Sequence, residues 1–191
     1  KTLFEKDAFM IGYFFGLICK EKNLKKVVTV ALSMDGRLSS PKLKKQTKLG
    51  ICKSGCNVID LGLNPTPILY FANHHLKTDG AIQITGSHNP KDYNGFKMVL
   101  KNTPFFGKDI QNLGKIAEFG SDISITGNME SINLDEKYIK KILMPLSKCV
   151  NLKDKKIIWD CGNGATGDII NKIVKLIPCK NTVLYSEIDG N

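Results

Sequence analysis

Residues 80–100 read Gly80-Ala-Ile-Gln-Ile-Thr85-Gly-Ser-His-Asn-Pro90-Lys-Asp-Tyr-Asn-Gly95-Phe-Lys-Met-Val-Leu100. Two runs with β-branched, aromatic and aliphatic residues, 80–85 and 95–100, flank a polar turn, and they read as two strands joined by a loop that opens on Gly86-Ser87. Working outward, Val27-Val-Thr-Val-Ala31 and Val58-Ile-Asp-Leu61 read as two more buried strands. Helical signals lie between them. Ser40-Pro41 is a helix start, with serine as N-cap and proline at the first helical position, and Gly55 suits the C-terminal cap of a helix that runs to about Ser54. Pro65-Thr-Pro67 opens a helix to about Leu76. Phe4, Ala8, Ile11, Phe15 and Ile18 recur at three and four residues, as on an amphipathic helix, and Lys108 to Glu118 is helical with Gly120 as a stop. Strands alternating with helices predict an α/β fold, a three-layer α/β/α arrangement around a mixed, mostly parallel sheet.

The polar, turn-rich stretch Ser121 to Asn133 marks a domain boundary, giving a first domain over 1–133 and the start of a second, similar α/β domain over 134–191. In the second, a helix is expected over Asp135–Ser147, a strand over Lys156–Trp159 with Trp159 in the core, and a helix over Gly167–Ile177. A further strand is expected within Asn181–Glu187. The chain begins at Lys1 rather than methionine and stops just after that run, so both ends read as cut and a piece of a longer protein is expected.

Composition narrows the function classes. Apolar residues make up 42% of 191, enough for a core. The most apolar early stretch, Phe9 to Cys19, is broken by Gly12 and Gly16 and falls short of the roughly 18 residues a bilayer span needs, so no membrane partner and a cytoplasmic location are expected. The net charge is +10, and every basic residue except Arg37 is lysine. The lysines are scattered and no aromatics interleave with them, which argues against nucleic acid and leaves an anionic sugar phosphate as a suitable ligand. The six cysteines include one close pair, Cys52 and Cys56, without a second pair or a histidine cluster, so they read as small buried apolar residues rather than zinc ligands.

Thr85-Gly-Ser-His-Asn-Pro90 lies at the carboxyl end of a predicted strand, where open α/β sheets bind ligands. Serine is a weak nucleophile until its surroundings activate it. Gly86 permits a tight turn, His88 follows the serine, Asn89 and Pro90 fix the loop, and Lys97 can offer positive charge to a phosphate or exchange protons. The hydrolase elbow Gly-x-Ser-x-Gly is absent because Asn89 stands at the second glycine position. Composition alone favours an ordinary turn whose serine and asparagine satisfy backbone groups. Gly162-Asn-Gly-Ala-Thr-Gly167 is formally a dinucleotide fingerprint, but too little chain follows it to build that unit. His74 and His75 are adjacent on a helix and so point about 100° apart, which suits exposed or capping side chains better than a ligand pair.

The whole of 85–100 tips the balance: it resembles the active-site segment of the α-D-phosphohexomutases, most closely the bacterial phosphomannomutase/phosphoglucomutase branch. Asp35-Gly-Arg-Leu-Ser-Ser-Pro41, Val58-Ile-Asp-Leu-Gly with Pro65-Thr-Pro67, Asp160-Cys-Gly-Asn-Gly-Ala165 and Glu187-Ile-Asp-Gly-Asn191 match further landmarks of that family in order. The resemblance implies a phosphoserine mutase. Ser87 carries a phosphoryl group, exchanges it with a hexose phosphate through a 1,6-bisphosphate intermediate, and lends a phosphoserine oxygen to a Mg2+ ion. His88 and Lys97 join Ser87 as catalytic residues, Arg37 and Asn89 form the phosphate environment, and glucose or mannose 1,6-bisphosphate acts as activator. Arg37 is equally suited to an ion pair with Asp35. Met34 stands where the family usually has arginine. The Asp-Gly-Asp-Gly-Asp-Arg metal loop is not within 1–191, so the expected partner is a hexose phosphate, the chain alone is expected to be inactive, and the complete protein is expected to be a monomer. The alternative is a non-catalytic fragment of a broken gene that at most binds sugar phosphate.

Overall fold

The first strand, β1 (Thr29–Met34), has neighbours on both sides: β2 (Asn57–Leu63) and β3 (Gly80–Ile84), each parallel to it. The chain then reverses. β4 (Phe96–Leu100) is antiparallel to β3, and β5 (Thr103–Phe105) is antiparallel to β4. A short β6 (Met129–Ser131) pairs parallel to β2 and completes a six-stranded sheet in the order β5-β4-β3-β1-β2-β6. The expected mixed, mostly parallel sheet is therefore present. This computed structural model describes residues 3–23, 27–116, 126–148 and 152–191.

Strand alternation sorts the two faces. Val30 and Leu32 of β1, Val58 of β2, Ile82 and Ile84 of β3 and Met98 of β4 join one buried cluster with Phe14, Phe15 and Ile18 of α1 (Glu5–Lys22) and Ile51 of α2 (Ser40–Lys53). Each such side chain contributes about 1.5–3 kcal/mol on burial. Ala31, Ile59, Ala81 and Val99 point the other way, towards α3 (Thr66–His75), whose Ile68, Leu69 and Ala72 are buried. The glycines that interrupt the apolar stretch of α1 have a packing reason. A Cβ at Gly12 would run into the Thr47 backbone of α2, and a Cβ at Gly50 of α2 would run into the Phe9 carbonyl, so the pair lets two helix backbones touch.

Several boundaries differ from the sequence reading. β1 begins at Thr29, and Val27 is exposed outside it. The strand instead runs on through Ser33, whose hydroxyl donates to Gly62 O at 3.2 Å and so tolerates burial. The N-cap of α2 is Ser39, not Ser40; the Ser40 hydroxyl donates to the Asp35 carboxylate instead. Gly55, at φ 86°, ends α2 as expected. α4 spans Lys108–Ile116, and the predicted end at Glu118 and the stop at Gly120 lie outside the described residues. β5 and β6 were not expected.

The buried carboxylate of Asp60 is compensated by cations and a backbone donor. Asp60 of β2 receives Lys44 at 2.7 Å, Lys48 at 2.9 Å and the Gly62 N–H at 2.9 Å. Burial pushes its pKa up, but these donors outweigh that and hold it below the usual carboxylate range. Cys19, Cys52, Cys56 and Cys161 are buried free thiols, and burial raises the pKa of the first three. Cys149 lies outside the described residues. No helix among the described residues is long and apolar enough to cross a membrane.

The chain divides into two compact units, Lys1–Asn133 and Leu134–Asn191. In the second, α5 (Asp135–Leu143) passes into a 3-10 turn, Met144–Lys148, where Pro145 removes a backbone donor. β7 (Lys156–Asp160) pairs parallel to β8 (Lys180–Leu184), with α6 (Gly167–Ile173) between them in sequence. Trp159 is not core as expected. It is half-buried, because two strands and a seven-residue helix enclose little volume, and its indole N–H donates to Asn181 Oδ1 at 2.9 Å. Lys172 of α6 is ion-paired with Asp135 of α5.

Candidate active site

β1 and β3 end in register at Met34 and Ile84, and the segments that follow them are tied together at once by the Asp35 N–H donating to Ile84 O at 2.9 Å. The Asp35 carboxylate then becomes a hub. It accepts from the Arg37 N–H at 3.1 Å, Arg37 Nε at 3.2 Å, the Ser40 hydroxyl at 2.6 Å and the Gly86 N–H at 3.3 Å.

Arg37 is the centre of the arrangement. Besides Asp35, its guanidinium donates to Pro90 O (2.7 Å), Tyr93 O (3.1 Å), Ser87 O (3.2 Å) and Asn89 O (2.7 Å). A guanidinium has five N–H donors, and all five are committed to the chain itself. Four carbonyl dipoles converging on one point would repel each other without that cation. The ion pair with Asp35 is thus the arrangement present. Arg37 thereby also borders the loop that carries Ser87, through the Ser87 and Asn89 carbonyl oxygens. Gly86 has a matching reason: a Cβ there would collide with the guanidinium carbon and the Tyr93 carbonyl oxygen.

Ser87 sits on the loop so formed. Its φ is 54°, in the left-handed region that non-glycine residues rarely adopt, a conformation that costs on the order of 1 kcal/mol and persists where neighbours enforce it. Its own N–H donates to the Thr85 hydroxyl at 2.9 Å and its carbonyl oxygen accepts from the Arg37 guanidinium, while its side chain is exposed. Its hydroxyl has no hydrogen bond among the described residues. Asn94, not singled out from the sequence, closes the far side. Its amide donates to the Ser39 and Ser40 hydroxyls, both at 2.9 Å, and its Oδ1 accepts from the Gly95 N–H at 2.8 Å.

The other expected residues are placed as follows. His88 and Asn89 are exposed on the same loop, and Asn89 serves it through its backbone, donating to Gly86 O at 3.0 Å and accepting from Arg37. Lys97 is half-buried on β4, in register with Gln83 of β3. Met34 is half-buried at the end of β1 and packs against the core, so an apolar residue suits its surroundings. His75 stacks on Phe71, with centroids 5.0 Å apart, and His74 is exposed.

A magnesium ion does not fit these residues alone. Among the described residues no three His, Cys, Asp or Glu side chains stand together as a metal-holding group, and both oxygens of Asp35 are already accepting hydrogen bonds.

The glycine loop of the second unit closes on itself. The Gly162 N–H donates to Asp160 Oδ1, Asn163 N–H to Tyr185 O and Gly164 N–H to Cys161 O, each at 2.9 Å; Asn163 Nδ2 donates to Glu187 O at 2.8 Å. A Cβ at Gly167 would strike the Ser186 carbonyl. The glycines therefore allow close packing against 184–189.

Comparison with known proteins agrees with this geometry. Residues 1–121 match the family model described as phosphoglucomutase/phosphomannomutase, alpha/beta/alpha domain I. A phosphomannomutase/phosphoglucomutase of Pseudomonas aeruginosa is 37% identical over 190 residues, covering 100% of this chain and 40% of that protein. A phosphoglucomutase of Neisseria meningitidis serogroup B is 36% identical over 195 residues, with 100% and 40% covered. A crystal structure of a phosphoglucomutase/phosphomannomutase family protein from Burkholderia thailandensis superposes with a TM-score of 0.87 at 33% identity, covering 100% of this chain and 42% of that one. The chain thus spans about two fifths of the length of these relatives.

Proposed function

The chain belongs to the phosphoglucomutase/phosphomannomutase family, and from that premise we propose that Ser87 is the phosphoryl carrier of a hexose phosphate mutase. One observation carries the reading. Ser87 is presented on a left-handed turn whose carbonyls are gathered by Arg37, with its hydroxyl exposed. A loop fixed in this way holds an acceptor oxygen in one place, and phosphoryl transfer depends chiefly on positioning and charge neutralisation.

The chemistry balances as two transfers. A hydroxyl of a hexose monophosphate attacks the phosphorus on Ser87; the bond from phosphorus to Oγ breaks, the sugar gains a second phosphate, and the proton lost by the sugar hydroxyl passes through a base to the departing Ser87 Oγ, with the reverse proton path in the second transfer. The 1,6-bisphosphate turns over and the Ser87 hydroxyl attacks its other phosphorus, releasing the isomeric monophosphate. His88, next to the carrier, and Lys97, on the returning strand, are the groups this reading assigns to proton exchange and charge stabilisation. A magnesium ion, which the family resemblance implies, would supply charge neutralisation at the phosphate oxygens. Because its ligands are not gathered by the described residues, the 191-residue chain by itself should be inactive.

The test is to incubate the longest natural form of the protein with glucose 1,6-bisphosphate and map the product by intact mass and peptide sequencing. One phosphoryl group on the peptide containing Ser87 is expected. Phosphate on a different residue, or none, overturns the assignment.

A further inference from the structure

Gln83 is an anomaly in the sheet. It is fully buried in β3, one pair below the end of the strand. Its Nε2 donates to Asn64 O at 3.0 Å, which fixes the amide, and its Oε1 has no hydrogen-bond partner. A buried acceptor left unpaired costs about 1–3 kcal/mol, and native structures rarely keep one without a reason.

The neighbours narrow the choice of donor. Gln83 is in register with Ser33 of β1 on one side and Lys97 of β4 on the other. The Ser33 hydroxyl already donates to Gly62 O, and one of the two N–H groups of the Asn64 amide is turned to Leu61 O at 2.5 Å. Lys97 is half-buried, and its ammonium has no hydrogen bond or ion pair among the described residues. Directly opposed residues of an antiparallel pair share a face, with Cβ atoms about 4.5–5.5 Å apart. An acceptor and a cation, each without a hydrogen bond among the described residues, therefore belong to directly opposed positions of one strand pair, and a lysine stem is flexible enough to reach across.

We propose that Gln83 is a positioning residue for Lys97: its Oε1 receives the Lys97 ammonium and holds it below the Ser87 loop until a phosphoryl group on Ser87 competes for it. The second half of this statement rests on Ser87 as phosphoryl carrier; the first does not. Gln83 touches no substrate in this scheme and acts only through the lysine.

Competitive acetylation with acetic anhydride tests it, with the rate at Lys97 read by peptide mass relative to Lys91 in the exposed loop of the same molecule. Gln83→Met, which suits a buried apolar position, should raise the Lys97 to Lys91 ratio roughly tenfold, the factor that corresponds to one hydrogen bond to a charged group. Gln83→Glu should lower it. Where circular dichroism shows that Gln83→Met is unfolded, Gln83→Glu decides. A ratio within about twofold of the parent in the folded variants overturns the proposal, because a merely structural glutamine would not govern the reactivity of one lysine. Phosphorylating Ser87 with glucose 1,6-bisphosphate should restore protection of Lys97 in Gln83→Met; continued full reactivity there would overturn the competition. The first arm needs no phosphate, so it fails independently of the Ser87 assignment.

Discussion

Two turns of this chain have much the same backbone and opposite fates. In the loop after β3, Ser87 takes φ 54°; in the glycine loop after β7, Gly162 and Asn163 each take φ 53°. Both follow a strand, and both carry a sequence associated with phosphate. They differ in which groups remain available. In the first, Arg37 and Asp35 occupy the backbone from within and leave the Ser87 side chain exposed. In the second, Asn163 is bound through its N–H, its carbonyl and its side chain to residues 185–189. A positive φ alone therefore does not distinguish a turn that presents a side chain from one that is closed on itself. The inventory of uncommitted groups does.

The largest effect expected from this contrast is Ser87→Ala. In the full-length enzyme it should reduce turnover at least about a thousandfold, since it removes the acceptor oxygen, while the melting temperature stays nearly unchanged because an exposed turn hydroxyl packs against little. Activity within tenfold of the parent would remove the distinction between the two turns. Next is Arg37→Ala, which strips the first turn of its internal cation. Hydrogen bonds to charged groups contribute about 1.5–3 kcal/mol each, but water can replace several in an exposed loop, so a net loss of about 2–3 kcal/mol is expected in urea unfolding. Faster hydrogen exchange at the Asn89 and Tyr93 amides should accompany it, and Arg37→Lys should recover only part, having no planar fork. Protected amides in Arg37→Ala would show that the loop holds itself. The smallest effect belongs to the second turn. Asn163→Gly should cost under about 1 kcal/mol, since glycine accepts the left-handed backbone, whereas Asn163→Ala should cost about 1–2 kcal/mol by adding strain. Neither should change phosphorylation of Ser87; a changed yield in peptide mapping would mean that the second turn is not merely structural.

How much of this was legible before the structure depends on the kind of interaction. β1 to β3 announced themselves as short apolar runs buried on both faces, α1 by its three- and four-residue spacing, and α2 and α3 by the serine and proline signals at their starts. β5 and β6 did not, because three-residue edge strands have no room for a pattern: β5 contains Pro104, and β6 is exposed at every position. Trp159 was misplaced because aromatic composition does not reveal how little covers a two-stranded sheet. At the site, the motif located Ser87, His88 and Lys97, and the spacing of Asp35 and Arg37 suggested their ion pair. What could not be read was the grip of Arg37 on four carbonyl oxygens some fifty residues later, since backbone acceptors carry no side-chain signature. Gln83 was overlooked for the opposite reason: within an apolar run it looks like a tolerated exception, and only its unpaired oxygen marks it.

The antiparallel return of β4 has a consequence for how such a site can change over time. Because β3 and β4 form a hairpin at one side of the parallel strands, the stretch 80–100 behaves as a cassette: acceptor, flanking histidine and lysine travel together on contiguous chain. Only the Asp35–Arg37 pair and the two serines that receive Asn94 must be supplied from elsewhere. Insertions at the exposed tip, around Lys91 and Asp92, would remodel what the loop meets without shifting the register of β1, β2 or β3. A graft of this hairpin onto another α/β sheet would need one contiguous socket, the segment from Asp35 to Ser40, to be recognisable as the same device.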